Sequence, residues 1–472
     1  MPYPAQRVSI PENCARVLRT LVLLLAAAAC AAVVVACKSL PEPGQAVAAP
    51  EVVRIKDARG PLSPKESATI LEKLGGGETA VLQRHVAVEE AVADSPLVLG
   101  NRVTLLQDGA ATYKAMFAAI RAAKNHVNIE TYIFEHDETG RRFADLLLKK
   151  QAAGVQVNLI YDSVGSLNTP RAFFESLKEG GIRVLEFNPV NPLTAKKGWE
   201  LNQRDHRKLL VVDGHTAFVG GINISGVYSA GSSMGIAGEP EKRVPWRDTQ
   251  VRIEGPVVAD FQRLFIDAWE QQRGEPLPRK NYFPKLAERG SEIVRAIGSS
   301  ASNGLSPIYV TLLSAINSAQ ISVYLTNAYF VPDPQLLEAL KSAAGRGVEV
   351  KLILPSQSDF WAVFHAGRSF YTELMEAGIH IHERREVLLH SKTALVDGVW
   401  SSVGSTNLDW RSFLHNEELN AVVLGERFSA QMMAAFEKDL AASERITPET
   451  WQRRGLATRV KEHFARMWQY WL

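Results

Sequence analysis

At 472 residues, with 46% hydrophobic and 22% charged residues, the chain is ample for two lobes that share a core. Its formal net charge of +2 at pH 7 argues against a strong polyanion-binding surface, so no nucleic-acid partner is expected. All three cysteines, Cys14, Cys30 and Cys37, precede the body of the protein, which excludes a disulfide framework or a thiolate metal site there.

The amino terminus carries Arg7, Arg16 and Arg19, an apolar run from Leu21 to Ala36, and then Val34-Val35-Ala36-Cys37. A basic region, a short apolar core and small residues at the end read as a secretory signal over residues 1–36. Its end resembles a lipobox, which implies lipidation of Cys37. The alternative is a single uncleaved anchor, the run being a little short for a spanning helix. Either way the positive flank is expected to stay in the cytoplasm, with the rest of the chain membrane-anchored on the extracytoplasmic, periplasmic face. Lys38 stands where Asp commonly retains such proteins in the inner membrane, which tilts the expectation toward the outer one.

Residues 37–95 read as a tether and N-terminal cap: KSLPEPGQAVAAPEVV is rich in Pro and Ala, and Ser63 to Val92 looks helical, set to cap the first lobe. From there two series of elements repeat. In a first lobe over 96–275, His126–Phe134 is strand-like, Gly140–Ala153 helix-like and Val155–Asp162 strand-like. In a second over 285–450, Ile321–Phe330, Asp333–Ala344 and Val348–Leu354 repeat that order. A further helix–strand pair begins at Ala172 in one series and Phe370 in the other. The expected fold is α/β, two pseudo-twofold-related lobes, each a mixed β-sheet flanked by helices, with a site at their interface. A helix over Val257–Trp269 leads into a Pro-containing linker, Gln271–Pro284. The loop Ser225–Val244 reads as a lid or as a surface insertion. Residues 451–472 mix five basic residues (Arg453, Arg454, Arg459, Lys461, Arg466) with aromatics, the composition of a helix at a lipid interface or of one packed on the second lobe.

The pattern His-x-Lys-x-x-x-x-Asp occurs in each series, as His206/Lys208/Asp213 and as His390/Lys392/Asp397. Each copy runs through a short apolar strand into Asp-Gly, a strong hairpin signal, and on to Gly-Gly-x-Asn223 or Gly-Ser405-x-Asn407. Strand alternation puts His206 with Lys208, and His390 with Lys392, on one face; the two Asp fall on the other parity and shape the turn. A neutral imidazole beside a fixed cation suits attack on a phosphodiester, and two copies let one imidazole attack while the other gives a proton to the departing alcohol. Asn223, Ser405 and Asn407 are candidate hydrogen-bond donors to phosphate oxygens. No HExxH or other clustered metal-ligand spacing occurs, so neither metal nor cofactor is expected.

Over roughly residues 95–450 the chain resembles the phospholipase D superfamily and, within it, the bacterial cardiolipin synthases. The resemblance covers HRKLLVVDGHTAFVGGINIS and HSKTALVDGVWSSVGSTNLDWRSFLHNEELN, far more than the two motifs. It implies one composite, metal-free site with His206, Lys208, Asp213, His390, Lys392 and Asp397 as the catalytic set, His206 as nucleophile and His390 as general acid. It also implies phospholipid substrates at a membrane, and orienting carboxylates at Asp248 and Glu418. Strand parity alone leaves Glu417 and Glu418 equivalent. Two other functions fit the residues: a phospholipase D or nuclease that releases the intermediate to water, and a non-catalytic lipoprotein scaffold. The residues set no oligomeric state.

Overall fold

The computed structural model describes residues 53–74, 85–86, 95–190, 202–231, 244–301, 304 and 306–472. The signal, Cys37, most of the tether and most of the proposed lid therefore lie outside the described residues.

Each half of the chain builds a seven-strand series in the same order. In the first lobe, Arg183–Phe187, Gln156–Asp162 and His126–Thr131 lie parallel, followed by Lys208–Val212, Thr216–Gly220, Thr249–Glu254 and Leu97–Gln107, antiparallel. In the second, the same positions are filled by His380–Arg384, Glu349–Pro355, Ser322–Asn327, Lys392–Val396, Trp400–Gly404, Asn416–Leu424 and Glu292–Ser299. The two innermost strands pair antiparallel, Asn101 opposite Glu292 and Val98 opposite Val294, so one sheet runs unbroken through both lobes. Every residue of Gln156–Asp162 is buried, as expected for a parallel strand covered on both faces.

Helices cover that sheet for local reasons. Asp137 and Asp333 occupy equivalent N-cap positions and accept from Gly140 N at 2.8 Å and Leu336 N at 3.1 Å, starting the helices Glu138–Ala152 and Pro334–Gly345. One apolar cluster unites Val211, Val219, Val251 and Phe261 of the first lobe with Val294, Leu395, Leu419 and Phe428 of the second. The lobes thus share a core and hold a common geometry.

The helix expected near Ser63–Val92 is observed over Pro64–Leu74, and His85, further along, rests on the second lobe, with Nδ1 3.0 Å from Ser314 Oγ and its ring 5.7 Å from Trp400. At the carboxyl end the segment divides between a packed residue and an exposed apolar face. Trp451 is buried and donates from Nε1 to Thr372 Oγ1 at 3.0 Å, whereas Leu456, Val460, Phe464, Met467, Trp468 and Trp471 form an exposed stripe along one face.

Candidate active site

The histidines are placed by two short ladders between the lobes. Arg204–Asp205 pairs parallel with Asn416–Glu417, and His206 N donates to Glu417 O at 2.9 Å. The equivalent ladder pairs Trp246–Arg247 with Leu388–Leu389, and His390 N donates to Arg247 O at 2.7 Å. Each ladder brings the next side chain onto the imidazole of the other lobe. His206 Nδ1 lies 3.0 and 3.1 Å from the carboxylate oxygens of Glu418, and His390 Nδ1 lies 2.7 Å from Asp248 Oδ2. A carboxylate on Nδ1 fixes the tautomer and leaves Nε2 for chemistry.

Parity is settled in the same step. Glu418 holds His206, while Glu417 faces the other way and pairs with Arg207 at 2.8 Å. Both carboxylates named from the sequence are thus at the histidines, each crossing between lobes.

Lys208 Nζ donates to His206 O and Lys392 Nζ to His390 O, so each ammonium stays beside its imidazole. Burial lowers Lys208 to about 7 and Lys392 to about 8, against the opposing pull of nearby carboxylates, Glu418 on Lys208 and Asp248 on Lys392. Burial, with the lysine charges added, holds His206 well below its ordinary value, and burial and Lys392 lower His390. Burial raises Glu418 to about 7. Neutral imidazoles and cations on the edge of deprotonation suit a site that awaits an anion.

Both histidines line one crevice of about 400 Å³, together with Asn223, Asn407, Arg204, Arg411 and aromatic walls. Asn223 Oδ1 accepts from Ile133 N at 3.1 Å and its Nδ2 donates to Tyr228 OH at 2.9 Å, which leaves one amide hydrogen for an oxyanion. Asn407 Oδ1 has no partner among the described residues.

Three expected site residues serve elsewhere. The Asp213 carboxylate accepts from the backbone N–H groups of Lys124, Asn125 and His126, and Asp397 accepts from those of Gln320, Ile321 and Ser322. Both sit in turns whose central residues have positive φ, 54° and 66° at Asp213-Gly214 and 52° and 65° at Asp397-Gly398, as a primed hairpin turn requires. They are therefore fold-holding members of the motif, at the far end of the strand from its histidine. Ser405, expected at phosphate, instead donates to Glu418 Oε2 and is absent from the crevice lining. Its counterpart Gly221 must be small, because a Cβ there would lie 2.3 Å from Asp248 Oδ1.

The sequence reading missed the aromatic walls. Trp246, Tyr228 and Tyr329 surround His390 with ring centroids at 4.9, 5.8 and 6.4 Å, and Tyr132 lies 5.1 Å from His206. Tyr132 and Tyr329 follow the equivalent strands His126–Thr131 and Ser322–Asn327 but stand one and two residues beyond their ends, so the repeat does not place them at matching positions. No metal-ligating cluster of His, Cys, Asp and Glu occurs among the described residues.

This duplicated fold, closed on a pair of carboxylate-held histidines, defines a class of phosphodiester-processing enzyme. The family model described as "Cardiolipin synthase, PLD-like domain" matches residues 116–228 and 312–440. The cardiolipin synthase of Geobacillus kaustophilus is 34% identical over 379 residues, covering 80% of this chain and 73% of that one. That of Listeria innocua is 35% identical over 374 residues, covering 79% and 75%. The solved structure of phosphatidylserine synthase from Haemophilus influenzae superposes with a TM-score of 0.61 at 15% identity, over 81% of this chain and 99% of that one, a likeness of fold. The chain belongs to the phospholipase D superfamily, among the cardiolipin synthases, and it is an enzyme.

Proposed function

We propose that the protein is a membrane-tethered phosphatidyltransferase that makes cardiolipin from phosphatidylglycerol and a second phospholipid through a phosphohistidine. The observation that carries this reading is the reciprocal hold of the two imidazoles, His206 by Glu418 and His390 by Asp248, in one crevice. His206 Nε2 attacks the phosphorus, the bond to the departing alcohol breaks, and His390, which takes up a proton when the anionic phosphate binds, gives that oxygen its proton. His390 then takes the proton of the incoming hydroxyl, whose oxygen attacks phosphorus as the phosphorus–nitrogen bond breaks. Lys208, Lys392, Asn223 and Asn407 stabilise charge on the phosphoryl oxygens throughout.

Access to lipid has two supports. The lipobox-like end at Cys37 would anchor the chain outside the cytoplasm. The apolar stripe from Leu456 to Trp471 is followed in the chain by Leu472, which lines the crevice with Phe360 and Val363, and Arg453, Arg459 and Lys461 in the same segment suit an anionic bilayer. Among the described residues no helix is long and apolar enough to cross a membrane.

The test is the product. Purified protein given phosphatidylglycerol, with and without phosphatidylethanolamine, is expected to form cardiolipin; phosphatidic acid as the main product would replace transfer with hydrolysis.

A further inference from the structure

The duplication fails at one place in the crevice. Two residues before His206 stands Arg204, and two residues before His390 stands Leu388. The strand end that meets Arg204 is Asp162, and its counterpart, the last residue of the equivalent strand Glu349–Pro355, is Pro355. An Arg–Asp pair has been built into only one half of a symmetric site.

Arg204 is 2% exposed and lines the crevice. Its Nη1 donates to Ser163 Oγ at 2.9 Å and to Asn188 O at 3.1 Å, with Asp162 Oδ1 3.7 Å away. Nε and Nη2 are buried and have no hydrogen-bond partner among the described residues. Those two atoms form the edge of the guanidinium that grips an oxyanion through parallel hydrogen bonds. A buried guanidinium edge left unpaired is costly, so its persistence on a crevice wall points to a ligand.

A second cation stands at the same end. Arg411 lines the crevice and is held toward the Arg204 segment by Asn202, which accepts from Nη1 at 2.7 Å and from Nη2 at 3.1 Å. The residue equivalent to Arg411 in the first repeat, counted from Asn223 and Asn407, is Val227. The repeat therefore lacks a matching cation at both positions.

Alternation in the extended segment places Arg204, His206 and Lys208 on one face, with Arg204 about 6.6 Å along the chain from His206. Two phosphates joined through a glycerol bridge are separated by a comparable length. A phosphatidyl acceptor that is itself a phospholipid brings such a second phosphate; water and free glycerol do not. Resting on the transferase reading above, we propose that Arg204 and Arg411 form a second oxyanion site that receives the phosphate of the acceptor phospholipid. The first phosphate sits at the histidines, and the second makes the enzyme prefer a lipid acceptor over a neutral alcohol.

The test compares two acceptors for one donor. Full-length protein in phosphatidylglycerol vesicles is assayed for cardiolipin, whose formation needs an acceptor with a phosphate, and for incorporation of labelled glycerol into phosphatidylglycerol, which does not. Arg204→Lys keeps a charge opposite Asp162 and loses the forked edge; Arg411→Gln is a second variant at a half-buried position, safer for folding. Each is expected to lower the ratio of cardiolipin to glycerol exchange about tenfold. An unchanged ratio, whether both rates fall together or neither falls, overturns the proposal.

If wild type yields only phosphatidic acid, the transferase reading fails, and the anion site is then scored by competition. Glycerol 3-phosphate is expected to inhibit wild type more than glycerol or inorganic phosphate does, and to lose that advantage in Arg204→Lys. Equal inhibition of wild type and variant, or equal potency of inorganic phosphate, overturns the site as a headgroup subsite.

Discussion

Glu418 of the second lobe lies 3.0 Å from Nδ1 of His206 in the first, so neither lobe alone contains a complete imidazole–carboxylate pair. His390 depends in the same way on Asp248, at 2.7 Å. The shared core and the unbroken sheet keep these crossed contacts in register.

Removing a carboxylate while keeping its shape isolates that dependence. Asp248→Asn and Glu418→Gln are each expected to lower kcat about 100-fold or more through loss of tautomer and imidazolium control, with KM little changed. Steady-state kinetics on vesicles checks this; a change confined to KM would assign these groups to binding.

The buried lysines are expected to set the alkaline limit. With Lys208 near 7 and Lys392 near 8 in the free enzyme, raising pH through that interval removes the positive charges proposed to receive phosphate. The profile of kcat/KM, which reports the free enzyme, should therefore fall on its alkaline side between about 7 and 8. Lys208→Arg, whose charge persists, should move that limb upward even if the maximum drops. An alkaline limb unmoved by the substitution would contradict this origin.

Asp213 and Asp397 are expected to matter for stability more than chemistry. Asp213→Ala deprives three backbone N–H groups of their acceptor and puts a Cβ-bearing residue without a polar side chain at φ 54°. A cost on the order of 2–3 kcal/mol is expected, read as a lowered denaturation midpoint with near-normal kcat on the folded fraction. Loss of activity with unchanged stability would return the residue to the catalytic set.

The carboxyl-terminal stripe is tested by separating lipid contact from catalysis. Phe464→Ser with Trp468→Ser should weaken co-sedimentation with anionic vesicles, while hydrolysis or exchange of a soluble short-chain substrate stays near wild type. Undiminished vesicle binding would move membrane contact away from this helix.

Much of this was legible in the sequence because the molecule is duplicated. Equivalent strands such as Gln156–Asp162 and Glu349–Pro355 carry the same apolar run, and Asp-Gly at both motifs announces the turns. Parity also gave the two motif aspartates their turn-shaping part. It could not choose between Glu417 and Glu418, because both faces of Asn416–Leu424 are buried and no apolar–polar alternation marks the inside. Ser405 was misplaced for a related reason: a hydroxyl beside a catalytic motif can serve the phosphate or the carboxylate behind the histidine, and only the fold shows Glu418 within reach. The aromatic walls escaped notice because residues such as Tyr228 also fit an ordinary core. Arg204 was invisible as a departure until Leu388 and Pro355 were aligned with it and Asp162 by the sheet register.

The most direct measurement is to trap the covalent intermediate. Protein mixed with phosphatidylglycerol labelled in its phosphate and quenched in base should carry label on His206. His390→Ala should retain that label while losing turnover, and His206→Ala should lose both. Full turnover in His206→Ala, or label on His390 in place of His206, would contradict an enzyme in which two imidazoles from opposite lobes act in sequence on one phosphorus.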